Sequence, residues 1–168
     1  MKSFFAALLI TLSLSGCAGY RIGDVKPHYL AGVRTIAIPT FRNETYQPRV
    51  EVLLTNTVIK QLQQDGTFRI TTEDKADAVL RGTVRGVART PVRSVRGNVL
   101  ATTEFNLTVG VRYSLIGRNG QPIVGPADVG GSTSFFVGSD VATDQRQALP
   151  LATEDLAVRL ASQLSEGW

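Results

Sequence analysis

Ala78-Val-Leu-Arg-Gly-Thr-Val-Arg-Gly-Val-Ala-Arg89 is the stretch that decides how this chain folds. Ala78, Leu80, Gly82, Val84, Gly86 and Ala88 fall on one side of an extended segment, and Val79, Arg81, Thr83, Arg85, Val87 and Arg89 on the other. Successive side chains of a strand point to opposite faces of its sheet, so this pattern belongs to a sheet that is buried on one face only. Ala101 to Ile116 repeats it, with Phe105, Leu107, Val109, Val111, Tyr113 and Leu115 against Glu104, Asn106, Thr108, Gly110, Arg112 and Ser114. The two runs are expected to pair antiparallel about a tip, Pro91-Val-Arg-Ser-Val-Arg-Gly-Asn98. Arg118-Asn-Gly-Gln121 signals a tight turn. Beyond it, Ala127 to Val137 reads as one further strand, weakened by Gly130-Gly131.

Toward the N-terminus, Val33-Arg-Thr-Ile-Ala-Ile-Pro39 reads as a first strand ended by its proline, followed by a loop, Thr40 to Thr45, rich in side chains that bond to backbone. Val50, Leu53, Leu54, Val58 and Leu62 then recur at helical spacing, with Pro48 near the start and Gly66 near the end. Phe68-Arg-Ile-Thr71 is a second short strand. Strand, helix, strand is a crossover unit, so these two strands should run parallel. At the other end of the chain Leu149, Ala152, Leu156, Leu160 and Leu164 mark a last helix, which Pro150 either opens or kinks if it began near Asp144. The expected class is α+β: two helices on one face of a mixed sheet of four to five strands.

The 168 residues carry 18 Lys and Arg against 14 Asp and Glu, a formal +4. That length suits one domain with an adequate core. Arginine dominates the basic residues, and arginine is the better bidentate partner for phosphate and carboxylate. The chain has one cysteine, Cys17, and one histidine, His28, so neither a Ser-His-Asp set nor a His/Cys metal cluster is expected. Gly130-Gly131 has no phosphate-loop context, and Glu73-Asp74 and Glu154-Asp155 have structural uses at a turn and in a helix's first turns. The sequence reads as a non-enzyme with no cofactor and no metal. His28, beside Pro27, is expected at the surface, and Tyr29 against the domain.

Met1 to Leu14 is a short charged start and an apolar run, too short for a spanning helix of about 20 residues and matching the first parts of a secretory signal. It ends in Leu14-Ser-Gly-Cys17, which resembles a bacterial lipobox. That resemblance implies cleavage before Cys17, a diacylglycerol thioether on its sulfur and an acyl chain on its amino group. Ala18, in place of the aspartate that retains lipoproteins in the inner membrane, implies export to the outer membrane. The expected organisation is a lipoprotein signal peptide over 1–16, an acylated tether over 17–32 and one domain over 33–165. Nucleic acid does not suit an acylated protein outside the cytoplasm.

Cys17-Ala-Gly-Tyr-Arg-Ile-Gly23, Ile36-Ala-Ile-Pro-Thr-Phe-Arg-Asn-Glu-Thr45, Glu51-Val-Leu-Leu-Thr-Asn56, Gln64-Asp-Gly66 and Ala76-Asp-Ala-Val-Leu-Arg-Gly-Thr83, in that order, resemble the lipopolysaccharide-assembly lipoproteins of the LptE family. The resemblance implies two helices on one face of a four-stranded sheet. It also implies a plug inside the outer-membrane barrel LptD, facing the periplasm, that helps deliver lipopolysaccharide to the cell surface. Pro150 departs from the uninterrupted final helix the resemblance implies. Phe41, Asn43 and Thr45, with the helix closed by Asp65-Gly66, are shared with lipoproteins similar to LpoB and CsgG, an activator of a cell-wall synthase and a secretion-channel subunit. Those lack a counterpart to the long arginine-bearing hairpin. On that hairpin Arg81, Arg85 and Arg89 are expected in a row on one face, Arg93 and Arg96 continue it into the tip, and Arg112 joins from the next strand. The row is either a solvated outer face or a contact for an anionic partner, lipopolysaccharide or the barrel.

Overall fold

The computed structural model describes residues 26–95 and 98–167, with the side chains of 94–102 left aside. The expected signal peptide, Cys17 and Arg96 lie outside the described residues. A 3-10 turn, His28–Leu30, comes first. It is followed by β1 (Thr35–Ala37), β2 (Arg42–Asn43), α1 (Val50–Asp65), β3 (Arg69–Ile70), β4 (Ala78–Val95), β5 (Asn98–Gly117), β6 (Pro122–Phe136) and α2 (Val141–Ser165).

The strands form one mixed sheet in the order β3-β1-β4-β5-β6, with β2 set beside β4 off this path. β1 pairs parallel with both β3 and β4, as a strand-helix-strand crossover requires. β4, β5 and β6 run antiparallel in succession. The sheet has six strands rather than four or five because Arg42–Asn43 returns after Pro39 to pair parallel with Thr83 and Val84. A two-residue bridge inside a polar loop has no periodicity from which to read it. The tip is also smaller than expected, since β4 continues to Val95 and β5 begins at Asn98. Pro91, which has no N–H to give, sits where β4 has lost β1 and β2 and is an edge strand.

Both helices pack on the face carrying Ala78, Leu80, Val84, Leu107, Val109, Val111, Tyr113 and Leu115, all buried. α1 contributes Val50, Leu54, Val58 and Leu62, and α2 contributes Ala152, Leu156, Leu160 and Leu164. A fully buried leucine of this kind stabilises the fold by about 1.5–3 kcal/mol relative to an exposed one. α2 runs through Pro150, which lies on its exposed side, and starts three residues ahead of Asp144. Asp140 caps it by accepting the Ala142 N–H at 2.9 Å. At the N-terminal end, the 3-10 turn buries Leu30 completely and leaves Tyr29 55% exposed, so the expected packing of Tyr29 is replaced by that of its neighbour. His28 is exposed. Among the described residues no helix is long and apolar enough to cross a membrane.

The loop between β1 and α1 is held by its own side chains. Asn43 Oδ1 accepts the Thr45 N–H at 2.9 Å, and its amide donates to Gln47 O at 2.9 Å and to Glu51 at 2.8 Å. Thr55, buried on α1, accepts the Phe41 N–H at 3.0 Å and donates to Glu51 O at 2.6 Å. Phe41 lies across Gly82 of β4, where an added Cβ would meet its ring at 2.7 Å.

Candidate functional site

The arginine row expected along β4 is interrupted by a bulge. Val84 stands opposite Val111 and Gly86 opposite Gly110, so Arg85 has no partner residue across the pair. A slip of one residue exchanges the faces of everything beyond it. Arg81, opposite Ser114, points to the open face of the sheet, whereas Arg89, opposite the buried Leu107, lies on the helix side. Its guanidinium sits 4.8 Å from the Phe105 ring centroid and donates to Gln145 Oε1 of α2 at 3.0 Å. Arg81, Arg85 and Arg89 therefore do not share a face. The bulge leaves no trace in a sequence whose small residues, Gly86 and Ala88, suit either side.

On the open face each arginine carries an acid brought from elsewhere in the chain. Arg81 pairs with Glu73 at 3.3 Å, and Arg85 pairs with Glu44 of the loop before α1. Arg112 of β5 grips Asp128 of β6 with two bonds, at 3.0 and 2.8 Å. Those bonds hold the Asp128 carboxyl below its ordinary range, with the Arg112 and Arg85 charges adding to them, and they raise Arg112 in turn. Nearer the tip, Arg93 is 70% exposed and lies 3.7 Å from Glu104. Arg96 is outside the described residues.

Of Arg81, Arg85, Arg89, Arg93 and Arg112, four thus have a carboxylate partner, and Arg89 has an aromatic ring and an amide instead. Glu44, Glu73, Glu104 and Asp128 are residues that sequence reasoning missed. The absence of acids between Ala78 and Asn98 hid them, because all four come from outside that stretch, Glu44 and Glu73 from loops and Glu104 and Asp128 from neighbouring strands. Arg112 and Asp128 were findable in principle, since antiparallel pairing of the two strands sets them directly opposite. Exposed pairs of this kind add little stability. The open face carries a set of ion pairs, and toward the hairpin's far end lie Arg89, which has no carboxylate partner, and Arg93, whose pair is the longest of the four.

The profile of the LptE family, described as lipopolysaccharide-assembly, matches residues 33–166. This chain belongs to the LptE family. The family is one of lipopolysaccharide-assembly lipoproteins, so a general role in lipopolysaccharide assembly in the cell envelope is shared by this member. No curated protein matches the chain. Among solved structures, a minor lipoprotein from Acinetobacter baumannii is similar at 19% identity and a TM-score of 0.56, over 81% of this chain and 95% of that one. The PelC dodecamer subunit from Paraburkholderia phytofirmans is similar at 19% identity and 0.54, over 83% and 94%. Uncharacterized lipoprotein B from Nitrosomonas europaea is similar at 9% identity and 0.52, over 88% and 86%. At these identities the likeness is one of fold.

Proposed function

We propose that this LptE-family chain is an outer-membrane lipoprotein, anchored through acylated Cys17 on the periplasmic side, that plugs and helps assemble an LptD-like β-barrel and helps deliver lipopolysaccharide to the cell surface. The match of the family profile to residues 33–166 carries this reading. The shape of the molecule supports it. The helices cover one face of the sheet and leave the other, with its arginine-acid pairs, open to a second protein. β4 has 18 residues and β5 has 20. At 3.2–3.4 Å per residue such a hairpin is about 60 Å long, more than the roughly 40–45 Å of a bilayer with its head groups. Arg81, Arg85, Arg89, Arg93, Arg96 and Arg112 are the residues proposed to meet lipopolysaccharide or the barrel.

Affinity purification of the tagged full chain from native membranes tests this reading. A stable one-to-one complex with a large β-barrel is expected, together with poor barrel assembly when the protein is depleted. Recovery of a cell-wall synthase as the sole partner would overturn it.

A further inference from the structure

At the end of the sheet opposite the hairpin tip, a cleft of about 460 Å³ is lined by Lys26, Ala31, Arg34, Thr67 and Arg69. Three of these five residues are cationic and none is acidic. Arg34 and Arg69 are neighbours across the β1–β3 pair, where the Arg69 N–H donates to Arg34 O at 3.0 Å. Among the described residues no carboxylate pairs with either guanidinium, in contrast to the four pairs on the hairpin. Among the described residues, the acids nearby are bound to backbone: Asp65 accepts the Thr67 N–H at 3.2 Å, and Asp77 accepts the N–H groups of Arg34 and Thr35, each at 3.0 Å. Lys26 is fixed at the rim, its Nζ 3.3 Å from Val33 O and 4.6 Å from the Phe68 ring centroid. On the 3-10 turn that precedes Ala31, Tyr29 is 55% exposed. An exposed tyrosine two residues from the lining of a cationic hollow is a composition that suits bilayer head groups.

We infer that this cleft holds the phosphate of an anionic glycerophospholipid from the leaflet in which the chain's own anchor is embedded. The inference rests on the lipoprotein reading above. Lys26 follows Cys17 by about nine residues, a span of at most about 32 Å, so an acylated Cys17 keeps the cleft within reach of the membrane surface. The Arg34 and Arg69 guanidinium groups line a hollow in which a phosphate can take charge-assisted bonds. Bound there, the head group would orient the sheet relative to the membrane, which an anchor at Cys17 alone does not do.

Native mass spectrometry of the purified mature protein in a neutral detergent tests this, with short-chain phosphatidylglycerol and phosphatidylcholine as probes. Each cation near an anionic lipid contributes about fivefold in affinity, so wild-type protein should prefer phosphatidylglycerol by tenfold or more. Arg34→Gln/Arg69→Gln should lose about twentyfold of phosphatidylglycerol affinity and none of its phosphatidylcholine affinity. Arg34→Lys/Arg69→Lys should keep most of it, which separates lost charge from a damaged fold. Equal affinity of the wild type for the two lipids overturns the inference without any variant. Displacement by inorganic phosphate at the same concentration as the lipid makes the cleft a free-anion site and overturns the lipid assignment. Tighter binding of lipid A, lost in the same glutamine variant, overturns it in favour of the transported glycolipid. The intact mass of the same sample reports whether Cys17 is acylated, so a failed cleft and a failed anchor are read separately.

Discussion

At the scale of single residues, Asp77 joins more of the molecule than any arginine on the hairpin. Its Oδ2 accepts the Arg34 and Thr35 N–H groups and the Thr35 hydroxyl at 2.8 Å, while its own N–H donates to Thr35 O at 3.0 Å and its carbonyl accepts the Arg118 N–H at 2.9 Å. Through side chain and backbone together, this one residue ties the entry of β1 to the entry of β4 and the exit of β5. The Thr35 hydroxyl, then the two backbone N–H groups, and last the Arg118 charge hold the carboxyl below its ordinary value, against a small opposing effect of burial. A carboxyl depressed in the folded state contributes stability that is complete above its unfolded pKa and is lost as pH falls through the folded one. The window is therefore below about pH 4. Asp77→Asn should lower the thermal midpoint at neutral pH by several degrees and flatten the acid limb of the stability curve. Acid-unfolding curves of wild type and variant that superimpose would refute this role. The same residue explains why Ala76-Asp77-Ala78 stands out in the sequence: both alanines are buried at 3% or less, and the aspartate between them faces the strand it ties.

At the scale of elements, the glycine pair of β6 does the opposite of what its composition suggests. Gly130-Gly131 reads as a weak point in a strand, yet Gly131 is buried where α2 comes down on it. An added Cβ there would fall inside contact distance of Leu156 N and Ala152 O, while one on Gly130 would meet nothing nearer than Val109 O at 3.5 Å. Asp155 fixes the same junction by accepting the Ser132 N–H at 2.9 Å. Gly131→Ala should cost about 1–3 kcal/mol through overpacking. Gly130→Ala should be neutral or stabilise by about 0.4–1 kcal/mol, because it narrows the unfolded ensemble without a clash. Chemical denaturation of the two variants measures the difference, and equal midpoints would sink the argument.

The long alternating runs and the spacing of leucines made the strands, both helices, the parallel crossover and the one-sided burial legible in the sequence. Those signals are set by periodicity, which a single chain carries in full. The bulge at Arg85, the two-residue β2 and the seating of α2 on Gly131 were not legible, because each depends on which backbone lies next to which. The candidate site suffered most from this. The arginines could be counted, but the face on which Arg89 lies and the acids that meet Arg81, Arg85, Arg93 and Arg112 are properties of register.

At the scale of the whole molecule, the two ends differ in chemistry and are far apart. β1 joins β4 at Ala78, and β4 runs to Val95, so the end that carries β1 and the tip are separated by about 55 Å of strand. The arginines nearer the core are neutralised in place, while Arg93 is paired to Glu104 only at 3.7 Å and is itself 70% exposed. A negative partner approaching the tip meets Arg93, whose ion pair is the longest described on the hairpin and which, being exposed, adds little stability. Arg93→Glu/Arg96→Glu should therefore weaken lipopolysaccharide binding while leaving the thermal midpoint and membrane anchoring unchanged. A charge-assisted contact is worth about 1.5–3 kcal/mol when partly desolvated and much less when fully wet, so the loss in affinity for the pair should exceed tenfold if the tip closes on its ligand. Because the two ends are so far apart, the same double variant should keep the phosphatidylglycerol preference of the Lys26–Arg34–Arg69 cleft, whose residues it does not touch. Wild-type lipopolysaccharide affinity in this variant, measured at moderate salt, would show that the tip charges only dress the surface and would move the contact to the paired arginines of the open face.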